Sequence, residues 1–351
     1  MNVNNNKKMN KIVLICPPDS LRSAHDVFSE KTVQTIKKLG IQCEIMYTYP
    51  NWYGASWIRG KSLLKSLFFN PLLRIRIFFK IKHDDYCIVL NAIDSKDKGG
   101  TFEKVIKANR AKYCLYLIDN HFSIATVAKS YFIRAKLADK LMVVTPQLGE
   151  ETFKYGICSS KVRIIEEPVD IDRLEQSKVL SEKPSIVWTG NPGNTKYLHE
   201  LGEILKNAYS YHEFKLTVIS GQVKPNIPFQ FPWEWRPYSF NKENIDLDGF
   251  WLGLAPIERT EYSKCKDTYK IKTYFAKGIP VVATNFGYHP NLIEHRKDGF
   301  LCDSRDDWVK YIKLLLSNRG MVIDMSHRAR VKAETRFSHM HCVTEWLKKL
   351  I

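Results

Sequence analysis

Apolar residues in this chain arrive in short continuous runs, and stretches of helical period separate one run from the next. Residues 11–16 (KIVLIC) form the first run, which stops at Pro17 and Pro18. A helical pattern then spans about 24–39 and closes at Gly40, and a second run follows at 42–47. The rhythm continues with strands at 86–91, 112–118, 140–145 and 161–165, and with helices at 101–109, 125–138 and 149–155. A strand covered on both faces reads as an uninterrupted apolar run, so this alternation predicts a parallel α/β sheet.

Residues 171–184 are polar and charged without a clear period, as a linker is. Beyond them a second series begins. It has strands at 185–189, 215–220, 251–255 and 279–284, with helices at 198–208, 269–277 and 306–316. The expected organisation is an N-terminal domain over 1–170, a linker over 171–184, a second domain over 185–335 and a C-terminal helix over 336–351. Two doubly wound α/β domains of this kind are expected to face each other across a ligand cleft, at the carboxyl ends of their strands.

Composition supports this picture and adds a charge. With 351 residues, 44% of them apolar, the chain can fill two cores, which excludes a disordered tail. The 54 Lys and Arg outnumber the 37 Asp and Glu, leaving +17 and pointing to an anionic partner. The eight cysteines are scattered, with no C-x-x-C pair and no zinc-ligand spacing, so reduced, buried thiols in a cytoplasmic protein are expected. The Asn/Lys-rich start and the short first apolar run give no export or spanning segment.

Residues 57–83 hold no acidic residue but seven basic ones, interleaved with Leu, Ile and Phe and divided by Pro71. Two readings stand side by side: an element lying in an anionic membrane interface, or a pair of helices with a buried apolar face and a solvated basic face. No helix-turn-helix, RNP or zinc-finger pattern accompanies the charge, so nucleic acid is not expected as a partner.

Candidate anion sites follow two strands. After 185–189 comes Gly190-Asn191-Pro192-Gly193-Asn194-Thr195-Lys196, a glycine turn leading into a helix, where free backbone N–H groups attract anions. Further on, Asp267 or Thr268 is placed to cap a helix whose first turn carries Lys270, with Lys264, Lys266 and Lys272 nearby. Cations are disfavoured at a helix N-terminus, so four lysines there suggest an anion that neutralises them.

The run from Lys270 through Tyr274, Ala276, Gly278, Pro280, Val281 and Val282, followed by Gly287 and by Asp298-Gly299-Phe300-Leu301, resembles the donor domain of GT-B nucleotide-sugar glycosyltransferases of the family 4 type. Other segments resemble the same family in order: Ala138-Asp139-Lys140 with Val143-Val144-Thr145, residues 162–170, Val187-Trp188-Thr189-Gly190-Asn191, and Gly253-Leu254-Ala255-Pro256-Ile257. The resemblance covers about 110–350. It implies two Rossmann-like domains, a sugar donor carried on UDP or GDP, and no metal or other cofactor. It further implies that Lys270 meets the donor diphosphate, that Gly190 and Asn191 let the donor approach the backbone, that Lys196 is a second phosphate cation, and that Tyr238, with Trp235, lies near the base.

The family's pair of glutamates would fall at Cys265 and Thr273, neither of them acidic, which leaves ribose contact and stereochemical outcome open. Glu258, or Glu261, offers a carboxylate from the same region. For acceptor activation the first domain presents Asp119-Asn120-His121 at a strand end, with Asp19 and His25 as further acceptor-side candidates. The expectation is a glycosyltransferase acting on a glycan or lipid-linked acceptor of surface polysaccharide synthesis, cytoplasmic or peripheral on the inner membrane face. The alternative is a non-catalytic GT-B-like binding subunit.

Overall fold

The computed structural model describes residues 9–17, 27–48, 69–91 and 99–351. The chain forms two compact units, Met1–Pro168 together with Cys342–Ile351, and Val169–His341.

The first unit runs β1 (Ile12–Cys16), α1 (Glu30–Lys38), β2 (Cys43–Tyr47), α2 (Asn70–Lys80), β3 (Tyr86–Leu90), α3 (Thr101–Ala108), β4 (Lys112–Leu117), α4 (Ala125–Leu137), β5 (Lys140–Val143), α5 (Pro146–Lys154) and β6 (Val162–Ile164). Its strands are all parallel, in the order β2-β1-β3-β4-β5-β6. Every residue of β1 and β3 is buried, the reason these strands read as unbroken apolar runs. α5 begins at Pro146, earlier than the expected 149, because the Thr145 side chain accepts the Leu148 N–H and Pro146 fits the first helical position.

The second unit runs β7 (Ser185–Thr189), α6 (Lys196–Glu200), α7 (Gly202–Tyr211), β8 (Lys215–Ile219), β9 (Trp233–Arg236), β10 (Leu252–Ala255), α8 (Tyr269–Ala276), β11 (Val281–Thr284), β12 (Gly299–Cys302), α9 (Arg305–Ser317) and α10 (Arg319–Arg336). The parallel sheet has the order β12-β11-β10-β7-β8-β9. That is the doubly wound Rossmann order, and strand progression reverses between β7 and β10. Ligands of such sheets bind beyond the carboxyl ends of the strands at that reversal.

Residues 171–184 are tied into the second unit and do not form a free linker. Leu174 is fully buried in its core, and Arg173 pairs with Glu243 at 2.9 Å. The expected helix 198–208 is two helices that meet at Leu201 and Gly202. The last helix, α11 (His339–Leu350), contributes Cys342 onward to the first unit. All eight cysteines are free, and Cys158 alone among them is exposed.

Candidate functional site

The reversal point of the second sheet gathers Trp188, Gly190, Lys270 and Tyr274. α8 is anchored there by Tyr274, whose ring lies where a side chain on Gly253 would sit; a Cβ at Gly253 would meet it at 2.6 Å. The Tyr274 hydroxyl accepts the backbone N–H of Thr189, the last residue of β7, at 2.8 Å. Lys270 is one helical turn before Tyr274 on the same face. It is therefore delivered to Gly190, the residue that follows β7.

The fully buried Trp188 forms the floor. The Lys270 ammonium stands 4.4 Å from the Trp188 ring centroid, and a Cβ on Gly190 would lie 2.8 Å from that ring and 3.2 Å from the ammonium. Glycine is needed here for close approach, since its φ is not in the left-handed region. The Gly190 carbonyl is held by the Ser220 hydroxyl at 2.7 Å. Among the described residues Lys270 has no hydrogen-bond or ion-pair partner. Burial, assisted by the charge of Lys266, lowers its pKa to about 7.

The N-terminus of α8 is open in an unusual way. Thr268 occupies the cap position but makes no side-chain bond to the helix, and its backbone is left-handed at φ 53 and ψ 58. That conformation is costly for a β-branched residue. Its hydroxyl is instead 2.9 Å from Nε2 of the buried His289, whose Nδ1 is 2.8 Å from the Thr284 carbonyl. A carbonyl only accepts, so Nδ1–H donates to Thr284 and Nε2 accepts from Thr268. Burial pushes the His289 pKa down to about 4, outweighing the opposite effect of the Thr284 bond. Asp267 does not cap the helix either. It binds Lys272 at 2.6 Å in a buried pair, so this lysine is neutralised from within and needs no external anion.

Lys196 and Glu258, expected separately as a phosphate cation and a catalytic carboxylate, meet each other at 2.8 Å. The bond from Glu258 raises the Lys196 pKa. Asn191 is exposed in the loop between them and β7. Thr273 is buried inside α8, its hydroxyl directed back to the Tyr269 carbonyl at 3.4 Å, and Cys265 is buried as well. Trp235 belongs to β9 and donates to the Ser220 carbonyl at 2.8 Å, while Tyr238 packs against the core and lies 3.4 Å from Glu243. Of the expected donor residues, the structure thus brings Gly190 and Lys270 into contact. It adds Trp188 and His289, which spacing alone did not single out, and it gives Thr268, expected as a helix cap, a bond to His289 instead. A hollow lined by Tyr209, Phe214, Trp233 and Glu234 opens at the opposite, amino ends of β7 and β8.

In the first unit, Asp119 and His121 follow β4 as expected. His121 stacks on Tyr131 with ring centroids 4.2 Å apart, and burial lowers its pKa while Asp119 acts in the other direction. Its Nε2 is buried with no hydrogen-bond partner among the described residues. Asp19 and His25 lie outside the described residues.

Residues 274–336 match the family model "Glycosyl transferases group 1", which includes the second half of α8 and ends with α10. Solved structures resemble the chain over much more of its length. HepE of Anabaena in complex with UDP is similar at a TM-score of 0.68 and 12% identity, with coverage of 97% of this chain and 99% of that one. The lipopolysaccharide outer core galactosyltransferase WaaB gives 0.63, 15%, 97% and 99%. The fold is that of GT-B glycosyltransferases. TarM gives a TM-score of 0.61 at 15% identity over 79% of this chain, which spans 57% of the length of TarM. No curated protein matches the chain in sequence. In GT-B terms, the second unit is the half that carries Gly190 and Lys270.

Proposed function

We propose that the protein is a glycosyltransferase that moves a sugar from a nucleoside diphosphate donor to an acceptor hydroxyl. The observation that carries this reading is Lys270, a cation without an anionic partner among the described residues, set against the backbone of Gly190 at the strand reversal of a GT-B fold. Two donors of positive charge converge there, the ammonium and the uncapped N-terminus of α8. A departing diphosphate would be stabilised by both, the task that a divalent cation performs in other transferases. HepE, similar in fold, was solved with UDP, which supports a uridine nucleotide as the first donor to try, with GDP second.

On the acceptor side, His121 has the properties of a base: burial favours its neutral form, and its Nε2 has no partner among the described residues. Asp119 supplies the charge that would favour the imidazolium once a hydroxyl proton is taken. A glycan or lipid-linked intermediate of surface polysaccharide synthesis is the acceptor class we favour, in keeping with the similarity to WaaB and with work at the inner face of a membrane. Among the described residues no helix is long and apolar enough to cross a membrane.

One observation favours a second reading, a binding subunit without catalysis: both positions of the family's glutamate pair are non-acidic and buried. A thermal-shift screen against UDP, GDP and their sugars, repeated with Lys270→Ala and in EDTA, tests the donor site. A shift that is lost in the variant and kept in EDTA supports it. Donor turnover by the same preparation separates enzyme from subunit.

A further inference from the structure

Helix α2 carries two apolar faces, back to back. At about 100° per residue, Leu73 and Ile77 point one way, and both are buried. On the opposite side Phe78, Pro71, Ile75, Phe79 and Leu72 form a continuous stripe roughly 120° wide. The side chains of this stripe are open to solvent: Leu72 is 61% exposed, Ile75 53%, Phe78 55% and Phe79 76%. Four large apolar side chains so exposed on three turns of helix make a patch that a water-facing surface does not explain.

Charge defines the borders of the stripe. By the same helical angles Arg74 lies along one edge and Arg76 along the other, while Lys80 falls next to the buried face. Neither α2 nor the rest of 57–83 contains an acidic residue. Lys80 is 3.2 Å from Glu44 of β2, Arg76 donates to the Tyr47 carbonyl, and Arg74 donates to Thr101. The helix is also fixed from below. Ile81 is buried just beyond its end, and the Asn109 amide donates to the carbonyls of Phe78 and Ile81 at 2.9 and 2.8 Å. The stripe is therefore presented by an anchored helix.

We propose that α2 is a membrane-docking element that lays Leu72, Ile75, Phe78 and Phe79 into the interface of an anionic phospholipid bilayer, with Arg74 and Arg76 at the headgroup phosphates. An apolar strip bordered by cations on both sides matches the layered structure of that interface, acyl chains flanked by phosphate. The two arginines that border the stripe, on a segment with no acidic residue of its own, select anionic over zwitterionic lipid. This deepens the acceptor reading above without depending on it, because the surface is defined by α2 alone.

The test is flotation of the full-length protein with vesicles of phosphatidylcholine alone and of phosphatidylcholine mixed with phosphatidylglycerol, at low and at physiological salt. The wild type is expected to float with the anionic vesicles, less so at higher salt. The triple substitution Ile75→Ser, Phe78→Ser, Phe79→Ser removes only exposed groups. It is expected to keep the melting temperature and any nucleotide-induced shift while vesicle binding falls by at least about tenfold. Equal flotation of variant and wild type overturns the proposal, as does a wild type that floats with neither vesicle. If the wild type fails to float and is a dimer that the substitution converts to a monomer, a second copy covers the stripe and the proposal falls. The nucleotide shift is read separately, so failure here leaves the donor site standing.

Discussion

Nε2 of His289 lies 2.9 Å from the hydroxyl of Thr268, and this bond joins the loop after β11 to the first residue of the α8 turn. It turns the Thr268 hydroxyl away from the helix, leaving the N–H groups of the first turn without a side-chain cap. It also supports a left-handed threonine that would otherwise relax. Burial keeps the imidazole neutral near pH 7, and in that form Nε2 accepts from the threonine.

This arrangement has a pH signature. An unfolded His289 titrates near 6.5 and the folded one near 4, so acid is taken up preferentially by the unfolded chain between these values. Stability therefore falls as pH drops from 6.5 towards 4, with this residue contributing a slope of about 1.4 kcal/mol per pH unit. Urea melts of wild type and His289→Gln across this window should differ in slope by one proton.

Lys270 gives the opposite dependence, in binding. Near pH 7 its ammonium is half deprotonated in the free protein, whereas a bound diphosphate would hold it charged. Affinity for UDP should decline above pH 7, approaching tenfold per unit as the proton must be recruited from solution. Calorimetric titrations from pH 7 to higher pH would show this, and Lys270→Arg should flatten the profile because guanidinium does not titrate in that range.

Gly190→Ala probes the close approach directly. Its Cβ would clash with the Trp188 ring at 2.8 Å and crowd the Lys270 ammonium at 3.2 Å. Displacement of the lysine should weaken nucleotide binding at least tenfold, with a stability loss of about 1–3 kcal/mol from overpacking. A thermal melt with and without UDP separates the two effects.

His121→Ala should lower kcat for transfer by roughly 10²–10⁴ and leave nucleotide affinity unchanged, as removal of an acceptor-side base does. A loss confined to nucleotide affinity would place His121 outside the acceptor chemistry.

Elements buried on both faces were legible from the chain, and half-exposed ones were not. β7 occupies the expected 185–189 because all five residues are buried and the three central ones, Ile186, Val187 and Trp188, are apolar. β9, with the sequence WEWR, alternates aromatic and charged residues at the edge of the sheet, half-buried throughout, and it reads as loop. α10 is legible only in retrospect, since Val322, Met325, Ala329 and Ala333 make a narrow buried stripe on a strongly charged helix. Within the site, Lys270 and Gly190 follow from the strand-turn-helix pattern. His289 does not, because it is a lone histidine distant in sequence whose meaning comes from the fold bringing it to Thr268. Trp188 looks like any core aromatic until Gly190 is seen against its ring.

The return of the chain to the first unit has a consequence for the order in which the protein is made. Trp346, 2% exposed, donates to the Glu166 carbonyl at 2.8 Å and meets Tyr116 edge-on at 5.7 Å. Lys349 donates to the Ile164 carbonyl, and Arg163 donates in turn to the carbonyl of Lys349. These partners leave the ribosome only after the whole of Val169–His341 has been synthesised, a delay on the order of 10–30 s. The unit whose translation begins first is thus completed only after the other has been made, when α11 brings Trp346 to Tyr116.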